Sequence, residues 1–236
     1  MPDKHLISQF NENLNHISSK LMEMGGLVET QVKLSNQALK NFSLDNLAEI
    51  FATEDKIDHL EVEIDNELAG IIVRRQPAAR DLRLLLAISK ITTNLERTGD
   101  EAHKIAKRIR SIVESGEARK IALGDLHSIF DMAADLVHRA LDAFARLDVA
   151  AATEIYREDD QIDREFKGFT RKLITYMVED PHTISSSLDL LFIAKAVERI
   201  GDHAKNIAEF IIYIVKGTDV RHSSLTHIEA IVHGTP

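Results

Sequence analysis

Two stretches of the chain carry the same acidic motif. Residues 94–109 and 196–211 are identical at eight of sixteen positions, and both contain Glu-Arg-x-Gly-Asp. On a helix, positions i and i+4 lie nearly above one another, so the motif directs two carboxylates toward the same region of space. Like charges at this spacing destabilise a helix by roughly a few tenths of a kcal/mol. The repeated pairs, Glu96 with Asp100 and Glu198 with Asp202, therefore indicate places where cations collect.

The repeat also contains a second acidic pair in each half. Glu54 and Asp58 match Asp159 and Asp163 at an offset of 105 residues. If these pairs lie on helices antiparallel to the Glu-Arg-x-Gly-Asp helices, four carboxylates converge in each half. Such a set suits hard cations, or iron or zinc bridged by carboxylates. The ligand type does not distinguish magnesium, manganese, iron and zinc.

The two predicted sites differ in charge. Glu61 and Asp65 continue the acidic stripe in the first half, whereas Lys167 stands near that level in the second. We therefore expect the first site to be the more negative. The alternative is that all these acids are solvated helix faces, the common role of a single acidic pair. The recurrence of both pairs in the same order favours metal ligands.

Several neighbours of the acidic pairs are expected to have structural roles. Gly99 and Gly201 lie inside the repeated motif and are typical of close helix packing. Arg97 and Arg199 project about 100° around the helix from the preceding Glu, so we expect them to pair with acids on neighbouring helices.

The histidines define no repeated site. His103 and His203 lie near the acidic pairs but occupy different repeat positions, and we expect both to be peripheral. The C-terminal residues His222, His227 and His233 have spacings that define no site, and they receive no role.

The spacing of apolar residues predicts an all-α protein of six long helices, arranged as two tandem three-helix bundles related by an internal duplication. The low content of Pro and Gly, 4 and 10 residues, agrees with long helices. Ser43 and Asp45 offer N-cap oxygens to the second helix. The predicted helices cover residues 6–42, a segment that ends before Pro77, residues 77–114, 125–146 and 148–178, and a last helix after Pro181 that ends near 216.

The duplication sets the predicted domain boundaries. The first repeat comprises residues 1–116, the second repeat 117–217 and a C-terminal tail 218–236, which we expect to be loose. The break between the halves is placed in the Gly-containing segment that begins at Ser115.

Composition excludes several classes of function. A formal net charge of −9 argues against direct nucleic-acid binding, which needs a basic surface. Because the chain has no cysteine, any metal must be held by oxygen or imidazole. No N-terminal apolar leader and no apolar run long enough to span a bilayer is found, so a cytoplasmic location is expected.

Common catalytic motifs are also missing. The sequence has no Gly-rich phosphate loop, no His-Glu-x-x-His and no Gly-x-Ser-x-Gly. The Glu-x-x-His pattern of ferritin-like di-iron helices occurs only at Glu179 to His182, where Pro181 interrupts it.

The chain resembles the PhoU family of phosphate-signalling regulators over nearly its whole length. The resemblance is carried by Arg-Gln-Pro-Ala-Ala-Arg-Asp-Leu-Arg at residues 75–83, by both Glu-Arg-x-Gly-Asp motifs, by Glu-Asp-Pro at 179–181 and by the segment 213–222. The chain departs from the family pattern at Thr98, usually apolar, and at Asp159, usually Glu. Neither change removes a carboxylate.

The resemblance implies metal clusters, partners and a role. The implied ligands are the paired acids Glu54, Asp58, Glu96, Asp100, Asp159, Asp163, Glu198 and Asp202. It further implies a non-enzymatic negative regulator of the phosphate-starvation response. Such a regulator links the ATPase of the high-affinity phosphate ABC transporter to a sensor histidine kinase, and reaches the membrane only through these partners. A homodimer is also expected.

Two other functions stay open at this point. A metal-dependent phosphohydrolase would use the carboxylate-bound metals as Lewis acids. A cation-storage protein would hold many weakly bound ions and would need no protein partner.

Overall fold

The computed structural model of the protein describes residues 3–115 and 123–234, with side chains for residues 12–114 and 123–234. Within those ranges the chain forms seven α-helices, one 3-10 turn and no strand. The helices are α1 (Asp3–Asn41), α2 (Leu47–Arg75), α3 (Ala79–Ser115), α4 (Gly124–Arg146), α5 (Val149–Glu179), α6 (Ile184–Lys216) and α7 (Leu225–His233), and the 3-10 turn is Pro181–Thr183. The prediction of an all-α fold with six long helices is confirmed, and α1–α3 and α4–α6 are consistent with two tandem three-helix bundles.

Helix α1 runs without interruption through Gly25 and Gly26. A Cβ at Gly25 would collide with the side chain of Leu141, whereas Gly26 faces open space. Gly25 therefore allows α1 and α4 to approach closely, and this contact joins the two halves of the chain.

The predicted cap of α2 is wrong. Helix α2 begins after Asn46, whose side chain makes no capping hydrogen bond. Ser43 Oγ instead accepts a hydrogen bond from the backbone N–H of Asp45 at 3.1 Å, a local turn that competes with capping. At the corresponding start of α5, the carboxylate of Asp148 caps the helix by accepting from Ala151 N at 3.0 Å.

Helices α3 and α6 form the centre of the molecule, and their mutual contact is the most extensive between any two helices. One continuous apolar cluster fills the space between them and the flanking helices. In α2 the apolar residues at helical spacing are buried, apart from Leu60, which is only partly buried. The buried members of that face are Leu47, Ile50, Ile57, Ile64, Leu68 and Ile71. Across the described ranges, no helix is both long enough and apolar enough to cross a membrane.

The C-terminal tail is ordered, contrary to the expectation that it would be loose. Its helix α7 buries Ile228 completely, and Val220 before it is also fully buried. The hydroxyl of Tyr156 in α5 donates to the carbonyl of Ser223 at 2.8 Å and fixes the start of the segment. The tail is thus part of the second half. The predicted boundary at residues 116 and 117 lies outside the described residues, so the domain limits stay predictions.

Candidate metal centres

Glycines inside the repeated motif bring one buried acid of each half, Glu54 or Asp159, against the helix that carries the motif. A Cβ on Gly99 of α3 would lie 3.2 Å from Ile57 Cδ1 and 3.3 Å from Glu54 Oε2, both on α2. Glu54 therefore lies directly against α3, at the level between Glu96 and Asp100. The close helix packing expected for this glycine is the reason that the two pairs face each other.

The second half repeats this arrangement. A Cβ on Gly201 of α6 would lie 2.9 Å from Ile162 Cδ1 and 3.1 Å from Asp159 Oδ1, both on α5. Asp159 is buried against α6 in the same way, between the levels of Glu198 and Asp202.

Mutual repulsion in the first half is reflected in the carboxylate pKa values. The pKa of Glu54 is raised to about 7, chiefly by burial and also by the negative charges of Asp58, Asp100 and Glu96, against a hydrogen bond from Gln31. Burial also raises the pKa of Glu96, together with the charges of Glu61, Asp100 and Asp58. All four predicted ligands of this half thus act on one another.

The second half shows the same coupling. Burial raises the pKa of Asp202 to about 6, and the nearby Glu198, Asp159 and Asp163 contribute to the rise. Burial likewise raises the pKa of Asp159, but a hydrogen bond from Lys205 opposes this effect. In each half, acids of both predicted pairs therefore act electrostatically on a buried member, and their role as metal ligands stays a prediction.

Lysines are bound to several of these carboxylates. Lys205 Nζ donates to Asp159 Oδ2 at 2.9 Å. Lys195 Nζ donates to both oxygens of Glu198 at 2.6 Å. In the first half, Asp100 is the only predicted ligand with a described lysine contact, which is to Lys104 at 2.8 Å. Among the described side chains, no group of three or more His, Asp or Glu lies close enough together to hold a metal ion.

The first half places additional donors beside Glu54. His103 Nδ1 lies 3.8 Å from Glu54 Oε1, and burial lowers the pKa of His103, which favours the neutral imidazole that binds metals. Gln31 Nε2 donates to Glu54 Oε2 at 2.6 Å, while the buried Oε1 of Gln31 receives no hydrogen bond. Carboxylates, an imidazole and an unsatisfied amide oxygen form a donor set that fits a divalent cation.

Sequence patterns predict only some of these contacts. His103, expected to be peripheral, lies beside Glu54, and the position of Lys195 three residues before Glu198 is the sequence signal for their ion pair. Lys205 and Gln31 reach their partners from other helices. No sequence signal identifies Gln31.

The second histidine lies elsewhere. His203 faces the α3–α6 contact, where its Nδ1 is 3.3 Å from Asn94 Oδ1. The pKa of His203 is lowered to about 4, chiefly by burial and also by the positive charges of Arg97, Arg199 and Lys104. Its expected peripheral position relative to the acidic pairs agrees with this placement.

The two arginines of the repeated motif differ. Arg199 forms the expected pair with an acid on a neighbouring helix, since its guanidinium donates to Glu101 Oε1 on α3 at 3.2 Å. Arg97 makes no ion pair within the part of the chain whose side chains are described. It lies in a surface groove of α3 and α6 that also contains His203 and Asn206.

Comparison with known proteins agrees with the fold and the repeat. The family model of the PhoU domain matches residues 21–109 and again residues 126–211. The chain is 51% identical to the phosphate-specific transport system accessory protein PhoU homolog of a Burkholderia species, over 95% of this chain and 96% of that protein. It is 40% identical to the phosphate-specific transport system accessory protein PhoU of Escherichia coli K12, over 98% of this chain and 95% of that protein.

A solved structure agrees equally well. The crystal structure of PhoU from Pseudomonas aeruginosa superposes with a TM-score of 0.86 at 44% identity, covering 89% of this chain and 100% of that one. The two family matches correspond to the two halves of the internal duplication. The chain belongs to the PhoU family.

Proposed function

We propose that this chain is a non-enzymatic negative regulator of the phosphate-starvation response. In this role it is a cytoplasmic adaptor, a homodimer, that links the ATPase of a phosphate ABC transporter to a sensor histidine kinase and reaches the membrane through these partners alone. The names of its relatives, accessory proteins of the phosphate-specific transport system, support the connection to phosphate transport.

The observation that supports the metal part of the proposal is that a buried acid of one helix, Glu54 or Asp159, packs against the glycine of the repeated motif in each half. We assign the ligands to both halves as Glu54, Asp58, Glu96, Asp100, Asp159, Asp163, Glu198 and Asp202. Bound metal would neutralise the mutual repulsion and hold α2 to α3 and α5 to α6. The role of the metal in this proposal is to order the helix faces that partners contact.

Elemental analysis tests the metal assignment. The full chain is purified without added metal and compared with Glu96→Gln/Asp100→Asn and Glu198→Gln/Asp202→Asn. Each double variant is expected to lose the metal of its own half. The control Glu49→Gln/Asp55→Asn removes two exposed acids from α2 and should retain the metal content. Equal metal content in all four proteins would show that the paired acids are solvated helix faces and not metal ligands.

Affinity purification at high phosphate tests the adaptor. Recovery of the transporter ATPase and the kinase, together with derepressed phosphate-responsive transcription on gene deletion, is the expected result. If neither partner is recovered and deletion leaves transcription unchanged, the adaptor role is wrong.

The same proteins separate the two alternatives. Turnover of a phosphate ester with added iron, manganese or zinc, abolished in the double variants but not in the control, would favour a phosphohydrolase. Binding of many weakly held ions per chain without protein partners would favour cation storage.

A further inference from the structure

A basic groove lies between α3 and α6, beside the acidic sites. Its volume is about 570 Å³, within the range of pockets that hold small molecules. Its polar lining consists of Lys104, Lys107, Arg108, Ser111, Lys195, Arg199 and Glu101, and Phe192 and Ala196 complete the wall. Five cations and one carboxylate line the groove, in a chain whose net charge is −9. Three of these cations, Lys104, Arg108 and Lys195, also pair with acids outside the lining, which are Asp100, Asp189 and Glu198.

Buried Glu101 holds two of these cations in place. Its Oε1 accepts hydrogen bonds from Lys104 Nζ at 3.0 Å and from Arg199 at 3.2 Å. Because the carboxylate is 5% exposed and lies beneath the two cations, it orients them without neutralising the remainder of the groove. The groove floor is thus preorganised.

The part of the groove around Arg108 is also fixed. Arg108 donates to Asp189 at 2.8 Å, and its guanidinium carbon lies 4.5 Å from the centre of the half-exposed Phe192 ring. Lys107, which is exposed, makes no hydrogen bond or ion pair with the described residues. It is therefore available to an incoming anion.

The internal duplication shows that the fold does not require these cations, because the matching positions of the other repeat mostly lack them. With the offset of 102 residues that relates Glu96 to Glu198, Lys104, Lys107 and Arg108 correspond to Asn206, Glu209 and Phe210. Likewise Lys195 corresponds to Thr93, and only the Arg97 and Arg199 pair is retained. Four of the five cations are thus confined to one of two equivalent faces of the α3–α6 pair.

We propose that this groove binds a ligand with two or more adjacent phosphate groups, either an inorganic oligophosphate or a nucleoside polyphosphate. A terminal phosphate group carries a charge of about −1.5 to −2 at neutral pH, and each adjacent phosphate group adds further negative charge that the lining cations attract. Lysine ammonium groups and arginine guanidinium groups are the side chains that bind phosphate oxygens. A single phosphate is much smaller than the groove and contacts only part of the cation set. Two of its lysines, Lys104 and Lys195, also pair with Asp100 and Glu198, which are proposed metal ligands, so the groove is tested without metal.

Calorimetric titration of the full chain in metal-depleted buffer tests the site. The probes are orthophosphate, sulfate, pyrophosphate, tripolyphosphate, ATP and an acidic polyglutamate peptide. Tripolyphosphate or ATP is expected to bind at least tenfold more tightly than orthophosphate or sulfate. Lys107→Glu should weaken that binding about tenfold, because it replaces an attraction by a repulsion.

Lys90→Glu is the matched control. It makes the same charge change at an exposed position of α3, about 25 Å along the helix, and should leave the affinity within about twofold. Phe192→Ala distinguishes the two ligand sources. A loss for ATP alone indicates a nucleotide base against the ring, and an equal effect on tripolyphosphate and ATP indicates the phosphate chain.

Three results would overturn the proposal. The first is the absence of binding by every phosphate probe. The second is equal weakening by Lys107→Glu and Lys90→Glu, which would show nonspecific attraction. The third is tighter binding of polyglutamate than of tripolyphosphate, which would make the groove a docking site for an acidic protein segment.

Discussion

Lys205 stands in the same relation to Asp159 as His103 stands to Glu54. The offset of 102 residues places both on the same turn of the repeated helix. Lys205 Nζ binds Asp159 Oδ2 at 2.9 Å, and His103 Nδ1 lies 3.8 Å from Glu54 Oε1. The second half thus has a built-in ammonium cation where the first half has an imidazole that can itself bind a metal.

This exchange predicts unequal metal affinities in the two halves. Lys205 competes with a metal for Asp159, so the first half should bind Mn²⁺ more tightly than the second. Lys205→His should raise the affinity of the second half about tenfold, and His103→Lys should lower that of the first by a similar factor. Calorimetric titration with Mn²⁺ measures the affinity of each half. The half that is not being measured is inactivated by its double variant.

The matched control for this exchange is Lys33→His, which makes the same substitution at an exposed lysine of α1 and should leave both affinities unchanged. Equal affinities of the two halves in the unaltered chain would contradict the competition between lysine and metal.

Glu54→Gln should have opposite effects on stability and on metal binding. The folded-state pKa of Glu54 is raised to about 7, chiefly by burial, from an ordinary value of 4.5. The unfolded chain therefore releases the proton first, and stability falls as pH rises from about 4.5 to about 7. At pH 8 the neutral amide should stabilise the metal-free protein by about 1–3 kcal/mol, while at pH 4 it should have little effect.

Urea unfolding at pH 4 and pH 8 in metal-free buffer measures this dependence. Asp55→Asn, which removes an exposed acid from the same helix, serves as the control and should change stability by less than about 0.5 kcal/mol at both pH values. In Glu54→Gln, metal binding by the first half should fall at least tenfold. A destabilised protein at pH 8 would show that the ionised carboxylate is required by the fold.

Gly99→Ala and Gly201→Ala should separate the facing acidic pairs. The new Cβ would approach Gln31 Oε1 to 2.9 Å in the first half and Ile162 Cδ1 to 2.9 Å in the second. Because these atoms are the ends of side chains that can move, we expect a moderate destabilisation of about 1–2 kcal/mol. Metal affinity of the affected half should fall as well.

The control is Gly168→Ala in α5, where a Cβ would meet no atom within 4 Å. Alanine there should stabilise the helix by up to about 1 kcal/mol. If all three substitutions stabilise the protein equally in thermal unfolding, close packing at the acidic sites is not what requires glycine.

Tyr156→Phe should loosen the C-terminal helix without unfolding the bundle. It removes the hydrogen bond of 2.8 Å to the carbonyl of Ser223, worth about 1 kcal/mol. Hydrogen exchange of the amides in α7 should then accelerate about fivefold, while amides of α3 and α6 keep their rates. Tyr213→Phe makes the same change where the hydroxyl has no hydrogen bond to a described residue, and should leave α7 unaffected.

The sequence by itself determined the helices, the duplication and the set of acids on each helix face. Apolar periodicity and the spacing of Glu96 to Asp100 are properties of a single helix, so they follow from local geometry. The repeated Gly99 and Gly201 even indicated where helices approach most closely.

Only the tertiary structure decided what surrounds those acids. The contacts of Gln31 with Glu54 and of Lys205 with Asp159 depend on the rotation and offset of one helix against another, which periodicity does not specify. The docking of α7 depends on Ile228, its one fully buried residue, and on bonds from Arg157 to Glu229 and from Lys216 to the carbonyl of Val232. Nine residues are too few for apolar spacing to predict such contacts. The basic groove arises because α3 and α6 pack against each other and bring Lys107 and Lys195, 88 positions apart in the sequence, onto one surface.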